Sequence, residues 1–160
     1  MQVDIRLATP ADAETLARMR YAFRASLGAV VEDEATFIER ATAWMAQRLG
    51  EDGPWSCWVA VHNGAIAGHL WLQTIEKLPN PVVELELHAY ITNVFVDQAL
   101  RGGGIGQRLM DAALAYCRER GVDSVILWPT SRSRTLYARN GFAVRDDIME
   151  AVLDGGRDLH

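Results

Sequence analysis

The chain has 160 residues, 49% hydrophobic and 23% charged, and 16 Lys+Arg against 21 Asp+Glu leave a formal net charge of −5. One domain, 1–160, is the expectation at this length, and the composition excludes a disordered tail, a collagen-like repeat and a disulfide scaffold. Cys57 and Cys117 form no CxxC pair and the N-terminus has no apolar signal segment, so the expected setting is a reducing cytoplasm.

An acidic pI near 5.3 argues against a nucleic-acid partner. Gly53 to Ile75 carries no formal charge, but Pro54 and His62-Asn63-Gly64 interrupt it. It therefore predicts two strands and no membrane span.

In chain order, Ile5 and Leu7 alternate with Asp4 and Arg6 and predict a strand that ends at Thr9-Pro10. Thr9 or Asp12 caps the next helix, in which Leu16, Met19, Arg20 and Phe23 recur at helical spacing before Gly28. A second helix is predicted over Asp33 to Leu49, with Phe37, Ile38, Ala41, Trp44, Met45 and Leu49 on one stripe. Trp58–Val61 and Ile66–Leu72 flank Asn63-Gly64, the strongest short hairpin signal. After Pro79-Asn80-Pro81, Val82 to Val96 reads as one long strand. A loop over Asp97–Gly103 leads to a helix over Gly104–Arg120, which Gly121 stops. Val125–Trp128 predicts a short strand, Ser133–Arg139 a last helix, and Phe142–Val144 with Ile148–Leu153 a closing hairpin. The order β-α-α-β-β-β-α-β-α-β-β describes an α/β (α+β) domain around one sheet.

The informative segment is Val94-Phe95-Val96-Asp97-Gln98-Ala99-Leu100-Arg101-Gly102-Gly103-Gly104-Ile105-Gly106. A strand runs into a glycine-rich turn that opens a helix. The first N–H groups of a helix are unsatisfied and carry partial positive charge, so such a turn attracts anions. Glycines remove the Cβ atoms that would keep a phosphate away. On glycines alone, a plain tight turn stays an equal alternative. A Walker A loop is excluded because Gln107-Arg108 follows Gly106, and the dinucleotide fingerprint fails at Gln107 and Leu109.

Arg101-x-x-Gly104-x-Gly106 after a Val-x-Val strand end resembles the acyl-CoA loop of the GNAT superfamily of N-acetyltransferases. Arg6-Leu7-Ala8-Thr9-Pro10-Ala11-Asp12-Ala13 resembles that family's first strand and helix start. The hairpin at Asn63-Gly64 with Ile66-Ala67-Gly68 resembles its second and third strands. Leu136-Tyr137-Ala138-Arg139-Asn140-Gly141-Phe142 is similar to its late Leu-Tyr-x-x-x-Gly-Phe signature.

The resemblance implies a mixed, mostly antiparallel sheet, acetyl-CoA as cosubstrate and an amine acceptor on a small molecule or peptide. It implies that the backbone of Val94, Phe95 and Val96 pairs with the pantetheine arm, which enters where the long strand and Val125–Trp128 separate. The amides of Arg101, Gly102, Gly103, Gly104, Ile105 and Gly106 would wrap the pyrophosphate. Two departures stand out: Gln98 replaces a common proline and Thr130 a common asparagine. Ser133 and Arg134 lie near the second departure and are candidate cofactor contacts. A homodimer is compatible with the family.

Amide formation needs a neutral amine, a held thioester carbonyl and a proton for the departing thiolate. The resemblance gives the general-acid role to Tyr137. A phenol of pKa about 10 can protonate a thiolate whose acid has pKa about 8.5 once the site assists. Several GNAT enzymes carry a basic glutamate 13 residues before the loop arginine, and that position here is His88. Histidine suits proton removal near neutral pH. Glu86 is the alternative, because simple alternation puts Glu84, Glu86, His88, Tyr90, Thr92, Val94 and Val96 on one face unless a bulge intervenes. A packing tyrosine and a surface histidine are the plainer readings of Tyr137 and His88.

His62, His69 and His160 show no metal spacing, so no metal is expected, and no Gly-x-Ser-x-Gly elbow occurs. Trp44, Trp55, Trp58 and Trp71 serve either an acceptor pocket or the core. The rivals to an N-acetyltransferase are a non-catalytic CoA-binding sensor and a transferase for a longer acyl-CoA.

Overall fold

The first strand, β1 (Asp4–Leu7), ends where Thr9 and Asp12 close a capping box ahead of the turn Pro10–Asp12. The Asp12 carboxylate accepts from the Thr9 amide at 2.8 Å and from both Arg6 guanidinium nitrogens at 2.8 and 3.0 Å. The Arg6 bonds hold that carboxyl below its usual pKa. Helix α1 (Ala13–Ser26) follows, and α2 (Glu34–Gly50) is capped by Asp33, whose carboxylate accepts from the Thr36 amide at 3.1 Å. The computed structural model describes residues 1–28 and 30–155, so His160 lies outside the described residues. The described residues fall into two compact units that divide between Ile126 and Leu127.

In the first unit, Asn63 at φ 50° and Gly64 at φ 76° make the two-residue turn between β2 (Trp55–His62) and β3 (Ala65–Glu76). Both residues need positive φ, which Asn and Gly tolerate. Among the described residues, β4 (Leu87–Val96) and β5 (Val122–Ile126) complete one sheet of order β1-β2-β3-β4-β5. Its pairs are antiparallel except β4 with β5, so it is mixed and mostly antiparallel, as the resemblance implies. Helix α3 (Ile105–Glu119) forms the crossover between the two parallel strands.

Ala13, Leu16 and Ala17 of α1 pack with Ala41 and Met45 of α2 on Cys57, Val59 and Trp71 of the sheet. Fully burying one leucine such as Leu16 contributes roughly 1.5–3 kcal/mol. Trp58 points to the opposite face, where its ring lies 5.1 Å from that of Tyr116 on α3. The sheet thus separates an α1/α2 layer from an α3 layer.

In the second unit, α4 (Arg134–Arg139) is closed by Gly141 at φ 84°.

Three expectations need correction. The strand expected from Val82 begins only at Leu87, because the β3 ladder ends where Glu76 meets Leu87 and only the Lys77 amide bonds back to Glu86 O beyond it. Glu84 and Glu86 therefore precede the strand. The strand expected over Val125–Trp128 is β5, shifted to Val122–Ile126. The closing hairpin of Phe142–Val144 and Ile148–Leu153 does not form, and Val144, Met149 and Leu153 stay exposed. Among the described residues, no helix is long and apolar enough to cross a membrane.

Candidate active site

β4 carries a bulge, where its register with β3 shifts between His69 and Trp71 and Asn93 takes φ 54°. Directly opposed residues of an antiparallel pair share a face. Trp71 with Thr92, and Gln73 with Tyr90, therefore lie on the α1/α2 side, as does Ile75 with His88. Beyond the bulge that side is resumed by Phe95, which opposes His69, while Val96 opposes Gly68 on the α3 side. The simple alternation thus breaks: His88, Tyr90 and Thr92 share their face with Phe95, and Val94 and Val96 turn away from it.

Two side chains hold the bulge. Arg20 of α1 donates from Nη1 to Asn93 Oδ1 at 3.0 Å, and His69 Nδ1 bonds the Asn93 carbonyl at 3.0 Å. A carbonyl only accepts, so Nδ1 carries the hydrogen of a neutral imidazole. His69 is 2% exposed, and its ring stacks on Phe95 at 5.5 Å. Burial pushes its pKa down to about 4, the Asn93 bond opposing and Arg20 adding. Gly68 admits the strand closely, since a Cβ there would sit 2.8 Å from the Phe95 carbonyl oxygen.

β5 pairs with β4 only from Leu87 to Tyr90. From Ile91 to Val96 no described strand occupies that edge of β4, and this stretch contains Val94, Phe95 and Val96. The chain then turns. The Asp97 amide donates to Ala67 O at 2.8 Å, Asp97 Oδ1 accepts from the Ala99 amide at 3.0 Å, and Arg101 Nε donates to Val96 O at 3.0 Å. Arg101 thereby folds the loop back on the strand end.

Gly102 and Gly104 adopt φ 82° and 81°, and a Cβ at either would meet nothing within 4 Å. Gly104 starts α3 with no side-chain cap and no acidic residue in the first turn. Ile105 is 2% exposed, so its side chain anchors the helix start in the core. The Arg101–Gly106 turn is thus uncapped at the end of β4 and open at Gly102 and Gly104, with the Met1 side chain lying against Gly103. Its donor chemistry fits a pyrophosphate.

His88 Nδ1 lies 2.8 Å from Ser124 Oγ and 3.0 Å from Asp123 Oδ1, both on β5. The Asp123 carboxylate also accepts from Lys77, and that bond is the main reason its pKa lies below the ordinary value. With Nδ1 turned to β5, Nε2 is the nitrogen left for chemistry. Glu86 lies just ahead of β4, where its carbonyl accepts from the Lys77 amide at 2.9 Å, and its side chain is exposed.

In the second unit, Tyr137 of α4 is 8% exposed and its ring lies 5.7 Å from that of Phe142. The Phe142 amide donates to Tyr137 O at 3.1 Å, and Asn140 Nδ2 to Leu136 O at 2.8 Å, closing the motif on itself. Burial raises the Tyr137 pKa, with the Ser133 side chain opposing, so the hydroxyl keeps its proton at neutral pH. Ser133 Oγ accepts from the Thr130 amide at 2.9 Å, while Arg134 is exposed.

Trp44, Trp55 and Trp71 pack against one another at 5.3 to 6.3 Å, whereas Trp58 lies on the other face. Among the described residues, no three His, Cys, Asp or Glu side chains gather as a metal site.

Sequence reading missed Arg20, His69, Asn93 and Asp123 as site residues. The available signal was an asparagine inside a β-branched run, since Asn tolerates positive φ.

An N-acetyltransferase of Methanocaldococcus jannaschii is 32% identical over 113 residues, covering 66% of this chain and 45% of that protein. A mycothiol acetyltransferase of Beutenbergia cavernae is 28% identical over 115 residues, covering 70% of this chain and 32% of that one. The chain therefore spans less than half the length of these relatives. A GCN5-related N-acetyltransferase from Ralstonia eutropha has a solved structure 31% identical to this chain, with a TM-score of 0.73 and coverage of 94% and 99%. An acetyltransferase from Clostridium acetobutylicum, solved with acetyl-CoA, shares the fold at a TM-score of 0.77 and 22% identity, covering 95% of this chain and 97% of that one. The model of the acetyltransferase (GNAT) family matches residues 16–142. With the bulged β4, the open glycine turn and α3 in that family's order, the chain belongs to the acetyltransferase (GNAT) family.

Proposed function

We propose that residues 1–160 act as one N-acetyltransferase domain that moves an acetyl group from acetyl-CoA to a primary amine of a small molecule or peptide by direct attack. The carrying observation is the uncapped, glycine-rich turn between the open edge of β4 and the start of α3. Val94, Phe95 and Val96 offer backbone groups to the pantetheine arm, and the amides of Arg101 to Gly106 receive the pyrophosphate. Ser133 and Arg134 add contacts to the cofactor. When bound, acetyl-CoA supplies the thioester that donates the acetyl group.

The amine attacks only as the free base. His88 Nε2 takes its proton, and Asp123 on Nδ1 fixes the ring and steadies the charge it gains. Tyr137 holds a proton for the thiolate. The buried, reduced Cys57 and Cys117 suit a cytoplasmic setting.

The test is an amine panel with acetyl-CoA, read by free thiol and by the mass of the product, with His88→Ala beside the parent. The reading expects acetylated product and a variant deficit that is greatest near neutral pH and shrinks at alkaline pH, where the amine is already free. Binding of CoA with no thiol release marks the sensor instead. Faster turnover of a longer acyl-CoA marks the other rival.

A further inference from the structure

The core-facing stripe of α1 runs Ala13, Leu16, Ala17 and then, at the same spacing, Arg20 and Arg24. The first three are buried and the two arginines are half-buried, and Arg20 reaches β4 at Asn93. The exposed Arg6, Arg18, Arg40 and Arg145 each pair with a carboxylate at 2.6 to 2.8 Å, and Arg48, Arg101 and Arg108 donate to neutral oxygens of their own neighbourhoods. Among the described residues, Arg20 and Arg24 pair with no carboxylate. Arg20 has the neutral Asn93 amide oxygen as its acceptor, and burial followed by the charge of Arg24 lowers its pKa.

Half-buried cations without a counter-ion are costly, because burial removes water and a single neutral acceptor replaces it only in part. Yet the chain carries five more acidic than basic residues, so carboxylates are not scarce. Arg20 stands on the face of β4 that bears Tyr90 and Thr92, at the bulge just before the Val94–Val96 edge, with the charge of Arg24 close enough to act on it. A guanidinium offers a planar fork of donors suited to carboxylate or phosphate.

We propose that Arg20 and Arg24 form the anion-binding half of the acceptor site, so that the acceptor is an amine that also bears a carboxylate or a phosphate. This rests on the acetyltransferase reading above. Arg20 is held at the bulge by Asn93, and Arg24, one turn on, closes over the same anion.

The test uses matched amines with acetyl-CoA: β-alanine against propylamine, and phosphoethanolamine against ethanolamine, with the parent and Arg24→Ala. In at least one pair the anionic member should show a kcat/KM at least about tenfold higher, roughly one charge-assisted contact. That pair tells carboxylate from phosphate, and Arg24→Ala should bring its ratio toward one. Should Arg24→Ala prove poorly folded, Arg20→Lys, which keeps the charge but loses the fork, should also shrink the ratio. Thiol release with ratios near one in both pairs overturns the anion site and leaves acetyl transfer standing. A ratio unchanged in folded Arg24→Ala, or a loss of acetyl-CoA affinity instead, also overturns it. No thiol release with any amine overturns the acetyltransferase reading itself.

Discussion

Arg20 on α1 and Asn93 on β4 are 73 residues apart in sequence, yet Arg20 Nη1 donates to Asn93 Oδ1 at 3.0 Å and ties the helix to the bulge. The bulge decides which side chains face α1, so this contact reaches into the site. Two demands fall on Asn93: φ 54° and an acceptor for Arg20. Asn93→Ala fails both, because a Cβ in the left-handed region costs roughly 1–2 kcal/mol. Asn93→Gly fails only the second. In urea denaturation the alanine variant should be less stable than the glycine variant by about 1 kcal/mol. Equal stability of the two would remove the backbone argument.

His69 sets an acid limit on stability. Its folded pKa of about 4 lies below the unfolded value of about 6.5. Between those values the unfolded chain binds the proton and the folded chain does not, so stability falls as pH drops through that window. The loss amounts to up to about 3 kcal/mol by pH 4. His69→Gln should be less stable at pH 7 and show a flatter decline from pH 6.5 to 4 in urea melts. Parallel declines for parent and variant would place the acid sensitivity elsewhere.

Gly104 is constrained by its φ of 81° and not by crowding, since a Cβ there would meet nothing within 4 Å. Gly104→Val should therefore fold, because the strain is local to the turn, but should displace the amides that open α3. CoA affinity by calorimetry should fall by an order of magnitude or more. Unchanged affinity in the folded variant would move the pyrophosphate site away from Arg101–Gly106.

Features with local causes were legible in the chain. Asn63-Gly64 gave its hairpin because two adjacent residues meet the positive-φ demand of the turn. Gly104 and the run after it gave α3 within one residue at each end. Features with distant causes were not legible. Val82 and Val83 have strand chemistry, but β3 has ended before it can pair with them, and they stand 65% and 109% exposed. Among the described residues, Ile148–Leu153 forms no strand despite its alternating apolar pattern. The family resemblance singled out His88 by its spacing from Arg101, but Asp123 had no such signal, because parallel pairing of β4 with β5 brings it to His88. The bulge at Asn93 depends on Arg20 and His69, neither of which is near it in sequence.

The most direct test of the proposed chemistry is Tyr137→Phe, which removes one oxygen and keeps the ring that packs 5.7 Å from Phe142. The buried hydroxyl is protonated at neutral pH and is assigned to the thiolate, an interaction present only in the transition state. The account predicts that kcat and kcat/KM fall together by at least about 100-fold where chemistry limits the rate, while acetyl-CoA affinity stays constant. A lower acetyl-CoA affinity with unchanged kcat would make the hydroxyl a cofactor contact. Parent-like values of both would contradict the acid role and leave Tyr137 a packing residue.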